Sequence, residues 1–291
     1  MGQEFEHLNI KIGTCALCDS DNIELQLSHI IPKFVYDWLK ETSITPFIRD
    51  IKNVNIRHQD GDKQYLLCNV CEKKLAVYEN ELASYFFKKI ANYRTQKKEI
   101  QITEKMRMAV LSILWRALLT SKDQENDRID EDNNEYETFL INAKKQLNDN
   151  KCEYTLFFAP IYGEPPHYGL PVSMTYGLDR SIGAQDIRFF DNPHRFIALF
   201  KLPFVYFFIL EGEWCASELK KSTEFNAELI KMNEINYIPD VLKDIIKMSH
   251  EQFLQSVKDM NEETKQVIMR SVSEKKGNTG SDKSLKRSGW D

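Results

Sequence analysis

No stretch of the chain approaches the roughly 18 uninterrupted apolar residues that a membrane-spanning helix requires, so no such helix is expected. The opening MGQEFEHLNIKIG lacks the charged-then-apolar layout of a secretory signal. Nor does Gly2 stand in the pattern that myristoylation reads, because Glu6 falls where Ser or Thr is needed. These absences lead to the expectation of a cytoplasmic protein without a membrane partner, its thiols kept reduced. An excess of positive charge is missing too: the net charge is −5, which argues against a general nucleic-acid coat. No internal repeat is found. What is present is an ordinary globular composition, 42% hydrophobic and 29% charged over 291 residues, enough for one large domain or two modest ones.

The charge is unevenly spread. Residues 1–122 hold 18 Lys/Arg against 15 Asp/Glu, so the remainder carries the acidic excess. Within residues 88–107, KKIANYRTQKKEIQITEKMR, seven basic residues face two acidic ones. Such a run is commonly a solvated helix face; its functional reading is a surface that tracks phosphates, through Lys88, Lys89 and Arg94.

Hydrophobic spacing gives the organisation. Residues 33–42, KFVYDWLKET, place Phe34, Val35, Trp38 and Leu39 on one helical face. A second helix is expected from Cys71 through EKKLAVYENELASYFFKKIANY. A third, TEKMRMAVLSILWRALLTSK, has Thr103 as N-cap and is apolar around most of its circumference, with Trp115 in its packing. The acidic run at 123–135 reads as an exposed loop and a domain boundary, followed by a helix over 136–148. After Cys152 the texture turns to strands, in YTLFFAPIY, PVSMTYGLD, DIRFFD, RFIALFK and FVYFFIL. The short connections favour antiparallel pairing. Two helices follow, near 238–259 and 261–275, and residues 276–291 have the composition of a disordered tail.

The fold class expected is therefore α+β. Residues 1–122 form an N-terminal module with its helices. Residues 136–275 form a separate antiparallel β-rich unit, with closing helices and a possible role in binding a protein partner.

Cys15 and Cys18 form one CxxC pair, and Cys68 and Cys71 another. Two such knuckles point to four thiolates around a structural Zn²⁺, with a redox CxxC as the competing reading. Cys152 and Cys215 fit no motif and read as buried apolar thiols. Between the knuckles lies SHIIP, with His29 open to three roles: a structural histidine, a ligand, or a proton acceptor. His58 lies near enough in sequence to join it. His7, His167, His194 and His250 read as surface or packing residues.

The order knuckle, hairpin, helix opening with the second knuckle is that of a treble clef. Residues 15–86 resemble the HNH-type (ββα-metal) endonucleases that carry a structural zinc. SHIIPKFVYDWLK, RHQDGDKQYLLCNVCEKKLAVYE and LSILWRALL are similar to a set of bacterial HNH-like proteins found beside phage-defence genes. The resemblance covers about the first 120 residues and implies metal-dependent cleavage of DNA, or RNA, with His29 as general base. It further implies a catalytic Mg²⁺ or Mn²⁺ held by Glu72 with Asp60 or Glu79. Two positions depart from the family pattern: Ser28 stands where an Asp or His ligand is usual, and Glu72 where a histidine is. They sustain the alternative of a non-catalytic zinc-stabilised module that binds nucleic acid or protein.

Overall fold

A computed structural model describes residues 10–45, 47–50, 53–122, 124, 127–274 and 279–289. His7, parts of the acidic run and both ends of the expected tail lie outside them.

His29 closes the central strand of the first sheet. Strand β1 (Lys11–Gly13) pairs antiparallel with β2 (Ile23–His29). Helix α1 (Lys33–Thr42) then leaves the sheet, and a two-stranded ribbon, β3 (Ile48–Arg49) with β4 (Arg57–His58), follows it. Strand β5 (Lys63–Cys68) returns antiparallel to β2, setting Leu25 opposite Cys68 and His29 opposite Lys63. The register slips between Gln26 and Leu27. That bulge breaks the alternation, so Leu25 and Ser28 are both buried while Leu27 is exposed.

Helix α2 (Asn69–Glu81) begins directly after β5 and continues through a π-helical stretch, Leu82–Phe87, into the short α3 (Lys88–Ile90). After β6 (Glu99–Gln101), helix α4 (Glu104–Ser121) starts at the expected cap, where the Thr103 hydroxyl accepts from the Met106 N–H at 3.3 Å. Trp115 is buried. Helix α5 (Asp130–Asp149) opens six residues earlier than its apolar pattern, within the acidic run. Asp130, Glu131 and Asp132 fill its first turn, where carboxylates interact favourably with the positive end of the helix dipole.

In the second half, β7 (Phe157–Pro160) precedes a short 3₁₀ turn and helix α6 (Thr175–Arg180). Residues 171–179 were expected as a strand, because Val172, Met174, Tyr176 and Leu178 alternate. They fold helically instead: the buried residues are Met174, Thr175, Leu178 and Asp179, which share one helical side rather than alternate, and Pro171 precedes the turn. Then come β8 (Gly183–Phe190), β9 (Arg195–Leu202), β10 (Val205–Gly212), helix α7 (Ala216–Lys220), β11 (Thr223–Glu224) and β12 (Leu229–Lys231). The second sheet is antiparallel, in the order β11-β7-β10-β9-β8. Helices α8 (Asp240–Lys258), α9 (Glu262–Glu274) and α10 (Gly280–Arg287) close the chain. No helix among the described residues is long and apolar enough to cross a membrane.

Two further expectations are corrected. Residues 1–122 and 136–275 are not separate units: one buried cluster runs from Cys15 through Leu75, Trp115 and Phe158 to Ile246. The cause is α4, which is apolar on nearly every side and therefore needs partners on every side. It packs on α2 and α5, and it also meets β8 and β9. Strand β6 pairs with β12, and the Phe86 ring contacts those of Phe158, Phe207 and Phe225. The second correction is the tail, where α10 is a capped helix rather than disordered chain; Thr279 caps it, accepting from the Asp282 N–H at 3.3 Å.

Candidate metal centre and active site

The turn after β1 carries Cys15 and Cys18, while Cys68 ends β5 and Cys71 sits in the first turn of α2. The sheet brings the two pairs together. All four Sγ atoms lie within 4.8 Å of one another, with Cys18 and Cys68 3.9 Å apart. A tetrahedron with metal–sulfur bonds of about 2.3 Å has edges of about 3.8 Å, so this donor set fits a thiophilic ion such as zinc. The knuckle is held by backbone bonds: Asp19 N–H donates to Cys15 O, Cys15 N–H to Ser20 O, and Ala16 N–H to Leu66 O. The Cys68 N–H points at Cys15 Sγ, 3.3 Å away, as expected of a donor supporting a thiolate.

The four thiols sit in different fields. Burial raises Cys15 and Cys71 above the ordinary thiol range, whereas the Ser20 hydroxyl and N–H hold Cys18 down to about 6. Burying thiols this closely disfavours several thiolates at once unless a cation neutralises them. The remaining cysteines divide. Cys152 is buried, and burial pushes its thiol up to about 12, but Cys215 is exposed at the start of α7, contrary to its expected burial.

His29 is mostly buried, its side chain 14% exposed, and its Nε2 lies 2.9 Å from Asp60 Oδ1. The two atoms are in close contact, but Nε2 makes no hydrogen bond of good geometry. Asp60 reaches this position through Gly61. A Cβ there would come within 1.9 Å of the Tyr36 ring, so only glycine lets the loop lie on that ring. Burial alone would raise the Asp60 carboxyl; Lys63 at 2.7 Å, His29 and the Gly61 N–H outweigh it and hold the carboxyl well below the usual range.

Behind the histidine, Arg116 of α4 is almost fully buried; its Nη1 donates to the His29 carbonyl at 3.0 Å and its Nη2 pairs with Glu79. Burial raises the Glu79 carboxyl, and the neighbouring guanidinium opposes that shift. Glu72, two turns earlier on the same face of α2, has a buried Oε2 with no hydrogen-bond partner.

The expected set for a second, catalytic ion is therefore not assembled. Asp60 is engaged by His29 and Lys63, and Glu79 by Arg116. Among the described residues, the four cysteines are the only group of three or more His, Cys, Asp or Glu ligand atoms this closely gathered. Ser28 supplies no ligand either, its hydroxyl donating to Gln26 O at 3.3 Å. His58 is exposed on the β3–β4 ribbon, and it is Asp60, two residues on, that meets His29. Lys88, Lys89 and Arg94 are all exposed. His167 is buried and His194 contacts Asp132 at 3.0 Å, both in packing roles.

Sequence reasoning missed Arg116, although a signal was present: it is the one charged residue within the apolar run MAVLSILWRALL, and a charge there must find a partner. No family model, curated protein or solved structure matches the chain. The resemblance to HNH nucleases therefore rests on the motif residues of the sequence alone.

Proposed function

We propose that the chain is a zinc-stabilised, HNH-like hydrolase of nucleic-acid phosphodiesters, with His29 as general base. The observation that carries this reading is the His29–Asp60 pair at the end of the antiparallel β2–β5 pair, tied through Arg116 to Glu79 of the helix that opens with the second knuckle. A carboxylate on one side of an imidazole fixes its orientation and stabilises the imidazolium formed when the ring takes a proton from water. Cys15, Cys18, Cys68 and Cys71 would hold Zn²⁺ in a treble-clef frame; the ion joins the turn after β1 to the start of α2 and so fixes the strand that ends in His29. Lys63, beside Asp60, supplies positive charge near the scissile phosphate. The carboxylates expected around Mg²⁺ or Mn²⁺ do not fit a common ion as they stand, and no step is assigned to one.

A second reading, a zinc-stabilised nucleic-acid-binding module without catalysis, is favoured by Ser28 and Glu79, whose polar groups are spent on Gln26 and Arg116. Cleavage assays on single- and double-stranded DNA and RNA, with Mg²⁺, with Mn²⁺ and with neither, decide between them. The hydrolase reading expects cleavage that His29→Ala removes while zinc content and thermal unfolding stay unchanged. Absence of cleavage throughout, with nucleic acid still bound, establishes the module.

A further inference from the structure

Residues 82–98, LASYFFKKIANYRTQKK, contain five basic residues and no acidic one. Lys88, Lys89, Arg94, Lys97 and Lys98 are all exposed, and none takes part in an ion pair among the described residues. A merely solvating charge run needs no fixed shape. This one has a shape that polar bonds hold.

The loop that follows α3 is pinned on both sides. Asn92 Oδ1 accepts from the N–H groups of Arg94 and Thr95, at 2.9 and 3.1 Å. Gln96 Nε2 donates to Ile90 O and Ile161 O, each at 2.8 Å, while its Oε1 accepts from Gly163 N–H at 2.8 Å. The Lys97 N–H returns to Lys89 O at 3.1 Å, which brings those two lysines together, and Lys98 O accepts from Met232 N–H at 2.7 Å. Trp38 Nε1 donates to Ala91 O at 2.9 Å, tying the loop to α1. Cations on such a backbone lose little freedom when they bind.

One helical turn before Lys88 and Lys89 stands an exposed aromatic ring. Tyr85 is 62% exposed, whereas its neighbours Phe86 and Phe87 are buried. It lies in the π-helical stretch four residues before Lys89, on one side of the same continuous helix. An exposed ring on the same helix as Lys88 and Lys89, with the Lys97 backbone bonded to Lys89, has two complementary surfaces to offer, a face for a base and charges for its flanking phosphates.

We infer that Tyr85 with Lys88, Lys89, Arg94, Lys97 and Lys98 forms a binding platform for single-stranded nucleic acid. Stacking on Tyr85 requires an unpaired base, which a duplex interior does not present, while the lysines contact the backbone without reading sequence. From residue 72 to residue 88 the helix runs roughly 24 Å at ~1.5 Å per residue, so a strand held here can extend toward the end of α2 that carries Glu72. This rests on the reading of the chain as one that acts on nucleic acid, but it concerns binding and not the chemistry at His29.

The test uses the full chain carrying His29→Ala, without added divalent ions, and fluorescence anisotropy of labelled oligothymidine against a duplex with the same number of phosphates. Oligothymidine is expected to bind more tightly, with affinity falling as salt rises at a log–log slope of about −3.5 if all five cations engage. Tyr85→Ala should weaken it about 5–140-fold with the slope unchanged, and Tyr85→Phe should retain it. Lys89→Gln should reduce the slope by about 0.7. Equal affinity for the duplex, or a Tyr85→Ala variant that binds like its parent, overturns the proposal. So does dextran sulfate competing as well as oligothymidine, since that marks a general polyanion surface. Tyr85-dependent binding in a protein whose unsubstituted form cleaves nothing retains this inference and removes the hydrolase; cleavage without Tyr85-dependent binding does the reverse.

Discussion

The Arg116 guanidinium donates to the His29 carbonyl oxygen at 3.0 Å across 87 residues of sequence. The same side chain pairs with Glu79, so one buried cation ties β2, α2 and α4 together behind the imidazole. Fixing a carbonyl at the end of a strand fixes the direction in which that residue's side chain leaves, and so the direction of His29.

Removing this cation should be costly. Arg116→Met leaves the Glu79 carboxylate buried without a counter-charge, an expected loss of about 3–5 kcal/mol of unfolding free energy. The double variant Arg116→Met, Glu79→Leu removes both charges and should regain most of that stability by denaturant titration. It should not regain cleavage, because the His29 carbonyl still lacks its donor. Equal stability of single and double variants would show that Glu79 was never held by Arg116.

The four-cysteine centre predicts one zinc per chain by elemental analysis. Cys68→Ser should lose the ion and unfold the β1-β2-β5 sheet, because Cys68 ends β5 and its N–H also supports Cys15. Cys215→Ser, at an exposed site away from the cluster, should keep the ion. A purified protein free of metal, yet folded with all four thiols reactive, contradicts the assignment.

Asp60 predicts both a rate and a pH dependence. His29→Ala should lower cleavage by about 10²–10⁴-fold, the usual contribution of a general base. Asp60→Asn should lower it by less, since the ring remains but its negative partner is gone. Because the folded Asp60 carboxyl is held below its unfolded value, its stabilising contribution is present above about pH 3.9 and is lost as pH falls through the depressed folded value. The parent should therefore be more stable than Asp60→Asn at neutral pH, and the two denaturation midpoints should converge in acid. A constant gap across that range refutes the linkage.

These relationships were unequally visible in the sequence. The cysteine pairs are local, and their spacing alone foretells that four thiols meet. Helices α2 and α4 show in apolar steps of three and four, and Thr103 marks the start of α4. The edge of α6 was not legible, because Val172, Met174, Tyr176 and Leu178 satisfy strand alternation and only tertiary burial of Thr175 decides against it. The single core was legible in principle, since a helix apolar all round cannot end a domain on one face. The partners of His29 were half visible: Asp60 lies in the same short motif, whereas Arg116 is distant and can be found only by asking where a charge in an apolar helix goes.

The C-terminal helix was the least legible element, since its buried face is Gly280, Ser281, Ser284 and Ser288 rather than an apolar stripe. Polar contacts hold it. Arg287 Nε and Ser284 Oγ donate to Asp179 Oδ2 at 3.1 and 2.9 Å, Arg287 Nη2 donates to Gly163 O at 2.9 Å, and Tyr93 meets Ser284 at 2.7 Å. Asp179 itself is fully buried, with Oδ1 lacking a hydrogen-bond partner, and burial raises its carboxyl to about 6. A carboxyl raised on folding binds protons more readily in the folded state, so between about pH 4 and pH 6 this group makes stability fall as pH rises. Arg287 opposes that shift. Arg287→Ala should therefore cost about 3–5 kcal/mol at neutral pH, as breaking a buried pair does, and carry the decline to higher pH. Asp179→Asn should flatten it, because no charge then has to be buried. Denaturation midpoints measured from pH 4 to pH 7 on the three proteins test this. If Arg287→Ala matches the parent throughout, α10 is not docked on Asp179 in solution.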